Sequence, residues 1–145
     1  MYRVRQEFKK IAQKEWHYHT FECEWYKCRM IRDRWRSRCW YVWIPKSHPA
    51  FGKDYYNDAQ TDIETAINEI NIHWWLTFAS DWLYMQPEKD LRWFGFDTAH
   101  CRDINIWEYE SINIPTIDSD MSDYRDKEYV IKNVKDLAKQ LKEIE

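Results

Sequence analysis

The sequence predicts an α+β fold: a mainly antiparallel sheet, a short N-terminal helix, and a C-terminal amphipathic helix packed on one face. Three observations carry this. Between Phe21 and Ile44 the chain alternates with period two through aromatic and β-branched positions, as half-buried strands do. Near the other end, Val130, Val134, Leu137, Leu141 and Ile144 recur at helical spacing and form one apolar stripe. At 145 residues the chain suits a single core, so residues 1–145 are read as one domain.

Taken in order, Arg5 to Lys14 places Phe8, Ile11 and Ala12 on one helical face. Phe21–Trp25, Tyr26–Arg32 and Arg38–Ile44 then read as three antiparallel strands, and Pro45 stops the third because it has no N–H for a ladder. A loop from Lys46 to Tyr55 leads to a helix over Asp58–Asn68 with acids on its outer side. Ile70–Phe78 and Leu91–Asp97 read as two further strands around a polar loop containing Pro87, and Thr98–Asp123 reads as irregular. The last helix runs from about Asp126 to Ile144, with Asp126 as N-cap and Lys139 and Lys142 suiting the negative end of the helix dipole.

Composition narrows the class. No apolar run approaches the ~20 residues of a membrane span, and the N-terminus lacks the apolar centre of a secretory signal. A cytoplasmic, reducing setting is therefore expected, without a membrane partner. Cys23, Cys28, Cys39 and Cys101 are then expected as thiols, and no second close pair completes a structural zinc motif around Cys23 and Cys28.

Net charge is −3, unevenly distributed. Lys27, Arg29, Arg32, Arg34, Arg36 and Arg38 face one acid, Asp33, whereas Asn57–Asp120 holds thirteen acids against three bases. The basic hairpin has the composition of a phosphate-binding surface. The negative total argues instead for a solvated hairpin tip and against a nucleic-acid partner.

Glycine and tryptophan occur in exchanged amounts: 2 Gly against 10 Trp, where a chain of this length ordinarily carries roughly ten Gly. Trp35, inside the polar run Arg32–Ser37, and Trp82, after Ser80-Asp81, sit where a turn is expected. UGA differs by one base from the glycine codon GGA, and genetic codes differ in reading it as glycine or tryptophan. Several Trp positions are accordingly read as recoded glycines, with backbone strain expected at each.

The main chemical constellation follows the strand ending at Asp97. Asp97, His100 and Asp103 are spaced by three, which gathers two carboxylates and an imidazole on one side of a helical turn. Such a set can bind a divalent metal or move a proton, or can simply cap its own turn. Strand parity on Ile70–His73 directs His73 away from the two Ile residues and adds it to this group. In the loop after the third strand, Lys53 suits an anionic ligand and His48 is expected on the rim of the site.

The segment Cys39–Tyr55, written C-W-Y-V-W-I-P-K-S-H-P-A-F-G-K-D-Y, resembles the G-Y-V-G-V/I-P-K-G-H-P-x-F/Y-G-K-x-Y pattern of a family of small phage and prophage proteins. The resemblance continues at Ile72–Phe78 (family V-H-G-G-L-T-F/Y), at Trp93–Asp103 (family W-x-G-F-D-x-A-H-x-x-D) and at Tyr124–Val130. It spans about half the chain in the same order. Trp40, Trp43, Trp74 and Trp75 fall on family glycines, and Trp93 on a family aromatic. Trp40, Trp43, Trp74 and Trp75 thereby join Trp35 and Trp82 as candidates for recoding.

The resemblance implies a phage accessory protein whose polar motif residues line a small-molecule site. Two functions follow. In the first, His48, Lys53, His73, Asp97, His100 and Asp103 bind a small phosphorylated or nucleotide-like ligand, with sequestration of a host defence signal as a role. In the second, His73, Asp97, His100 and Asp103 hold a divalent metal that activates water for hydrolysis. A protein-interaction module using exposed Trp is a third reading.

Overall fold

Alternation along the first strands sets the architecture. The computed structural model describes residues 18–32, 38–55, 58–73, 75–80, 82–83, 86–87, 91–98 and 125–145. Strands β1 (Tyr18–Cys23), β2 (Tyr26–Arg32) and β3 (Arg38–Pro45) form an antiparallel meander. There follow helix α1 (Asp62–Asn68), strand β4 (Phe78–Ser80), a separate short pair β5 (Trp82–Leu83) and β6 (Gln86–Pro87), strand β7 (Leu91–Asp97) and helix α2 (Lys127–Ile144). The main sheet has the order β1-β2-β3-β7-β4, antiparallel at every pairing.

Period two divides the sheet into two faces. Tyr26, Cys28 and Met30 of β2, Trp40, Val42 and Ile44 of β3, and Phe94 and Phe96 of β7 pack in one cluster with Val130, Val134, Leu137, Ala138 and Leu141 of α2. The interleaved residues build a second cluster in which Tyr41 and Trp93 are buried among Ile31, Cys39, Trp43 and Phe78. Trp43 stacks on Trp93 at 4.7 Å between ring centroids, Lys27 lies over Trp43 at 4.4 Å and Arg29 over Trp93 at 5.0 Å. Aromatic surface thus covers both sides of β3.

The helix ends obey capping chemistry. Asp126 accepts a hydrogen bond from the Tyr129 amide, as an N-cap should. At α1 the cap is Thr61, which forms a reciprocal capping box with Glu64, so the helix begins at Asp62 and not at Asp58. These bonds, to the Gln60 amide above all, hold the Glu64 carboxyl below its ordinary range. No helix among the described residues is long and apolar enough to cross a membrane.

Several sequence expectations are corrected. The first strand does not run into Trp25: with Cys23 paired to Tyr26, Glu24 and Trp25 are left to make the turn. Ile70–Phe78 is not a strand, since only Phe78 onward joins the sheet. The loop around Pro87 contains the β5–β6 pair. Trp40 and Trp43 sit in regular β3 and Trp82 in β5, and the left-handed non-glycine residues among those described are Glu24 and Trp25. Trp40, Trp43, Trp75 and Trp82 therefore lack the left-handed backbone expected of them. The expected helix over Arg5–Lys14, Trp35, Trp74 and most of Thr98–Asp123 lie outside the described residues.

One glycine is held by contact. A methyl placed on Gly95 would overlap the backbone carbonyl oxygen of Trp40 and lie 2.6 Å from Cδ1 of the Tyr41 ring. The Trp40 carbonyl, part of the β3 backbone, cannot withdraw without disturbing the β3–β7 pairing. Gly95→Ala is expected to destabilise the fold by about 1–3 kcal/mol, read as a lower urea midpoint with an unchanged slope.

Candidate functional site

The stretch Asn71–His73 carries the first site residue and is held by α2. The Asn71 amide donates to Gln140 Oε1 at 2.7 Å, and Gln140 Nε2 donates back to the Asn71 carbonyl at 2.9 Å. Two residues on, the His73 amide donates to Asn133 Oδ1 at 2.8 Å. The two carboxamides are themselves steadied by the Tyr129 and Asp136 carbonyls one turn earlier. A strand neighbour would have met these same backbone groups. Asn71 and His73 stay outside the sheet, with helix side chains meeting these backbone groups.

This geometry also moves His73. Parity predicted that it faces away from Ile72, yet both side chains are buried. His73 Nδ1 shares a 2.7 Å hydrogen bond with the Tyr129 hydroxyl, and its ring lies 6.3 Å from that of Phe96. Above Tyr129, the Arg125 guanidinium sits 4.7 Å from the ring centroid. Arg125 precedes the Asp126 cap, so the chain entering α2 lays its cation on the Tyr129 ring, whose hydroxyl meets the His73 imidazole.

Asp97 belongs to the same end of β7. Its Oδ2 accepts from Thr77 Oγ1 at 3.0 Å, while the Thr77 amide donates to the Gly95 carbonyl and Tyr55 Oη donates to the Thr77 carbonyl at 2.7 Å. Burial, followed by the charges of Asp54 and Asp97, raises the Tyr55 phenol above its ordinary value. Tyr55 is thereby kept a donor. Thr77 and Asp97 thus meet at the end of β7, His73 lies beside Phe96, the residue before Asp97, and the chain continues from there toward His100 and Asp103. Those two candidates lie outside the described residues.

His48 is not on the rim of this site. Its Nε2 is 2.8 Å from the Leu141 carbonyl and its Nδ1 accepts the Ala50 amide at 3.0 Å, which assigns the neutral Nε2–H tautomer. Leu141 carries one of the last four carbonyls of α2, which have no partner within the helix. His48 therefore closes the helix end. Tyr129 and Leu141 are twelve residues apart, so His73 and His48 are separated by about 18 Å along α2.

Lys53 is also placed elsewhere. Arg92, at the start of β7, donates to the Lys53 carbonyl from Nε at 3.1 Å and Nη2 at 2.5 Å and lies 3.7 Å from Asp54. The Lys53 ammonium is 3.9 Å from Glu64 Oε1, with 37 % of the side chain exposed. Arg92 and Asp97 are five residues apart, about 17 Å of extended strand. Lys53 is engaged by Arg92 through its carbonyl and by Glu64 through its ammonium.

Among the described residues, no group of three His, Cys, Asp or Glu side chains is placed to hold a metal ion. Cys23, Cys28 and Cys39 are free thiols, and burial pushes Cys28 up to about 12. The sequence reading missed Arg125, Tyr129, Asn133 and Gln140. Their spacing was the available signal, since 129, 133 and 140 form a polar stripe beside the apolar one on α2.

Comparison with protein-family models, curated proteins and solved structures gave no match to this chain.

Two outcomes are expected. His48→Ala orphans the Leu141 carbonyl and the Ala50 amide and should lower unfolding stability by about 2–4 kcal/mol, measured in urea. Tyr55 and Tyr26 are both raised above the ordinary phenol value of 10.0, by burial first in each case and at Tyr26 next by its bond to Glu145. A proton held more tightly in the folded chain stabilises it below that value and ceases to as pH rises through the folded one. Thermal midpoints should fall above pH ~10, less steeply in Tyr55→Phe.

Proposed function

We propose that this chain is a phage-type accessory protein that binds a small phosphorylated or nucleotide-like ligand at the His73–Asp97 end of β7. One observation carries the reading: Arg125 is stacked 4.7 Å over Tyr129, whose hydroxyl is fixed 2.7 Å from His73 Nδ1. A planar cation held on a ring is preorganised to fork onto a phosphoryl group. An imidazole and the Thr77–Asp97 pair at the same strand end add directional contacts. Capture of a host signal by such a site is the counter-defence role we assign to it.

The metal-dependent hydrolase is the second reading. Its support is the location of His73 and Asp97 at one end of β7, with His100 and Asp103 three and six residues beyond Asp97 in the chain. In that case His73, Asp97, His100 and Asp103 would hold the ion, which would activate a water for hydrolysis.

Titration calorimetry with inorganic phosphate and a panel of mono-, di- and cyclic nucleotides tests both. Saturable binding is expected, weakened at least about tenfold, or ~1.4 kcal/mol, by Arg125→Ala and by His73→Ala, and unaffected by Lys53→Ala. Silence across the panel, with saturable uptake of Zn, Mn or Mg that Asp97→Ala abolishes, would replace ligand capture by the hydrolase.

A further inference from the structure

We infer that residue 25 is decoded as glycine, not tryptophan, in the organism that makes this protein. The inference goes beyond the ligand-binding reading and does not depend on it. It starts from the β1–β2 hairpin. Cys23 pairs with Tyr26, so the connection is a two-residue turn, and its residues have φ of +53° at Glu24 and +69° at Trp25. Both are left-handed, which makes this a type I′ turn, the form whose twist matches the flanking strands.

Such turns select their residues sharply. The first position tolerates a few polar side chains, and the second is ordinarily glycine, because a Cβ in the left-handed region crowds the following carbonyl. Tryptophan at the second position keeps that crowding. It also gains nothing in return, since Trp25 is 93 % exposed whereas Trp40 and Trp93 are fully buried. With glycine at 25 the turn holds one disfavoured residue instead of two.

Composition supplies the second, independent ground. The chain holds 2 Gly and 10 Trp, and a single base separates GGA from UGA, the codon whose meaning moves between glycine and tryptophan. Position 25 lies outside every segment that resembles the phage family, so the family pattern plays no part in nominating it. The geometry of the turn does. Among the large apolar residues exposed in the structure are Trp25 and Trp75, and the latter occupies a family glycine.

Three measurements test the inference. The codon for residue 25 should be UGA; UGG would overturn the proposal. Fragment-ion sequencing of the tryptic peptide ending at Lys27, from protein purified from the source organism, should give glycine at 25. Tryptophan there would equally overturn it and leave Trp25 as an exposed anchor for a partner. Finally, Trp25→Gly made in an ordinary expression host should raise the unfolding midpoint by about 2–8 °C; an unchanged or lowered midpoint would remove the conformational ground.

Discussion

The structure depends on α2 lying across the sheet with two adjacent stripes in use at once. Its apolar stripe, Val130, Val134, Leu137 and Leu141, closes the core over Trp40, Phe94 and Phe96. Its polar stripe, Tyr129, Asn133 and Gln140, holds Asn71 and His73: the two carboxamides meet their backbone groups and Tyr129 meets the His73 imidazole. The first stripe is non-directional and could tolerate small slides. The second fixes the helix lengthwise, because three side chains must each meet a particular atom.

That lengthwise fit decides where chemistry can sit. Near its start α2 carries Tyr129 to His73, with Arg125 stacked on that ring from just before the helix, and the end of β7 sets Asp97 beside Thr77. Near its end the helix meets His48, and Glu145 receives the Tyr26 hydroxyl. The two ends are thus used differently. One sets a cation and an imidazole on the same tyrosine, and the other spends its polar groups on ending the helix.

How much of this was legible in the sequence varies with the range of the interaction. Strands β2, β3 and β7 and helix α2 were readable because local period and nearby caps determine them. Ile70–His73 alternates like a strand but is shaped by Gln140 and Asn133, 60 residues or more away in the chain, which no local window contains. His48 looked like a loop residue available for ligand, and nothing local announces a bond to the carbonyl of Leu141. The β1–β2 pairing was readable, but the position of its turn at Glu24-Trp25 was missed for a different reason. Its sequence lacks the glycine that signals such a turn, though its backbone takes the shape glycine favours.

The long reach of these contacts bears on how the chain is made. Tyr26 bonds Glu145 across 119 positions, His48 bonds Leu141 across 93 and Asn71 bonds Gln140 across 69. During synthesis at about 5–20 residues per second, the sheet emerges well before the helix that covers it. Until α2 arrives, Trp40, Phe94 and Phe96 face water, the state in which aromatic sheets associate with one another. Slowing translation between β7 and α2 would lengthen that exposure.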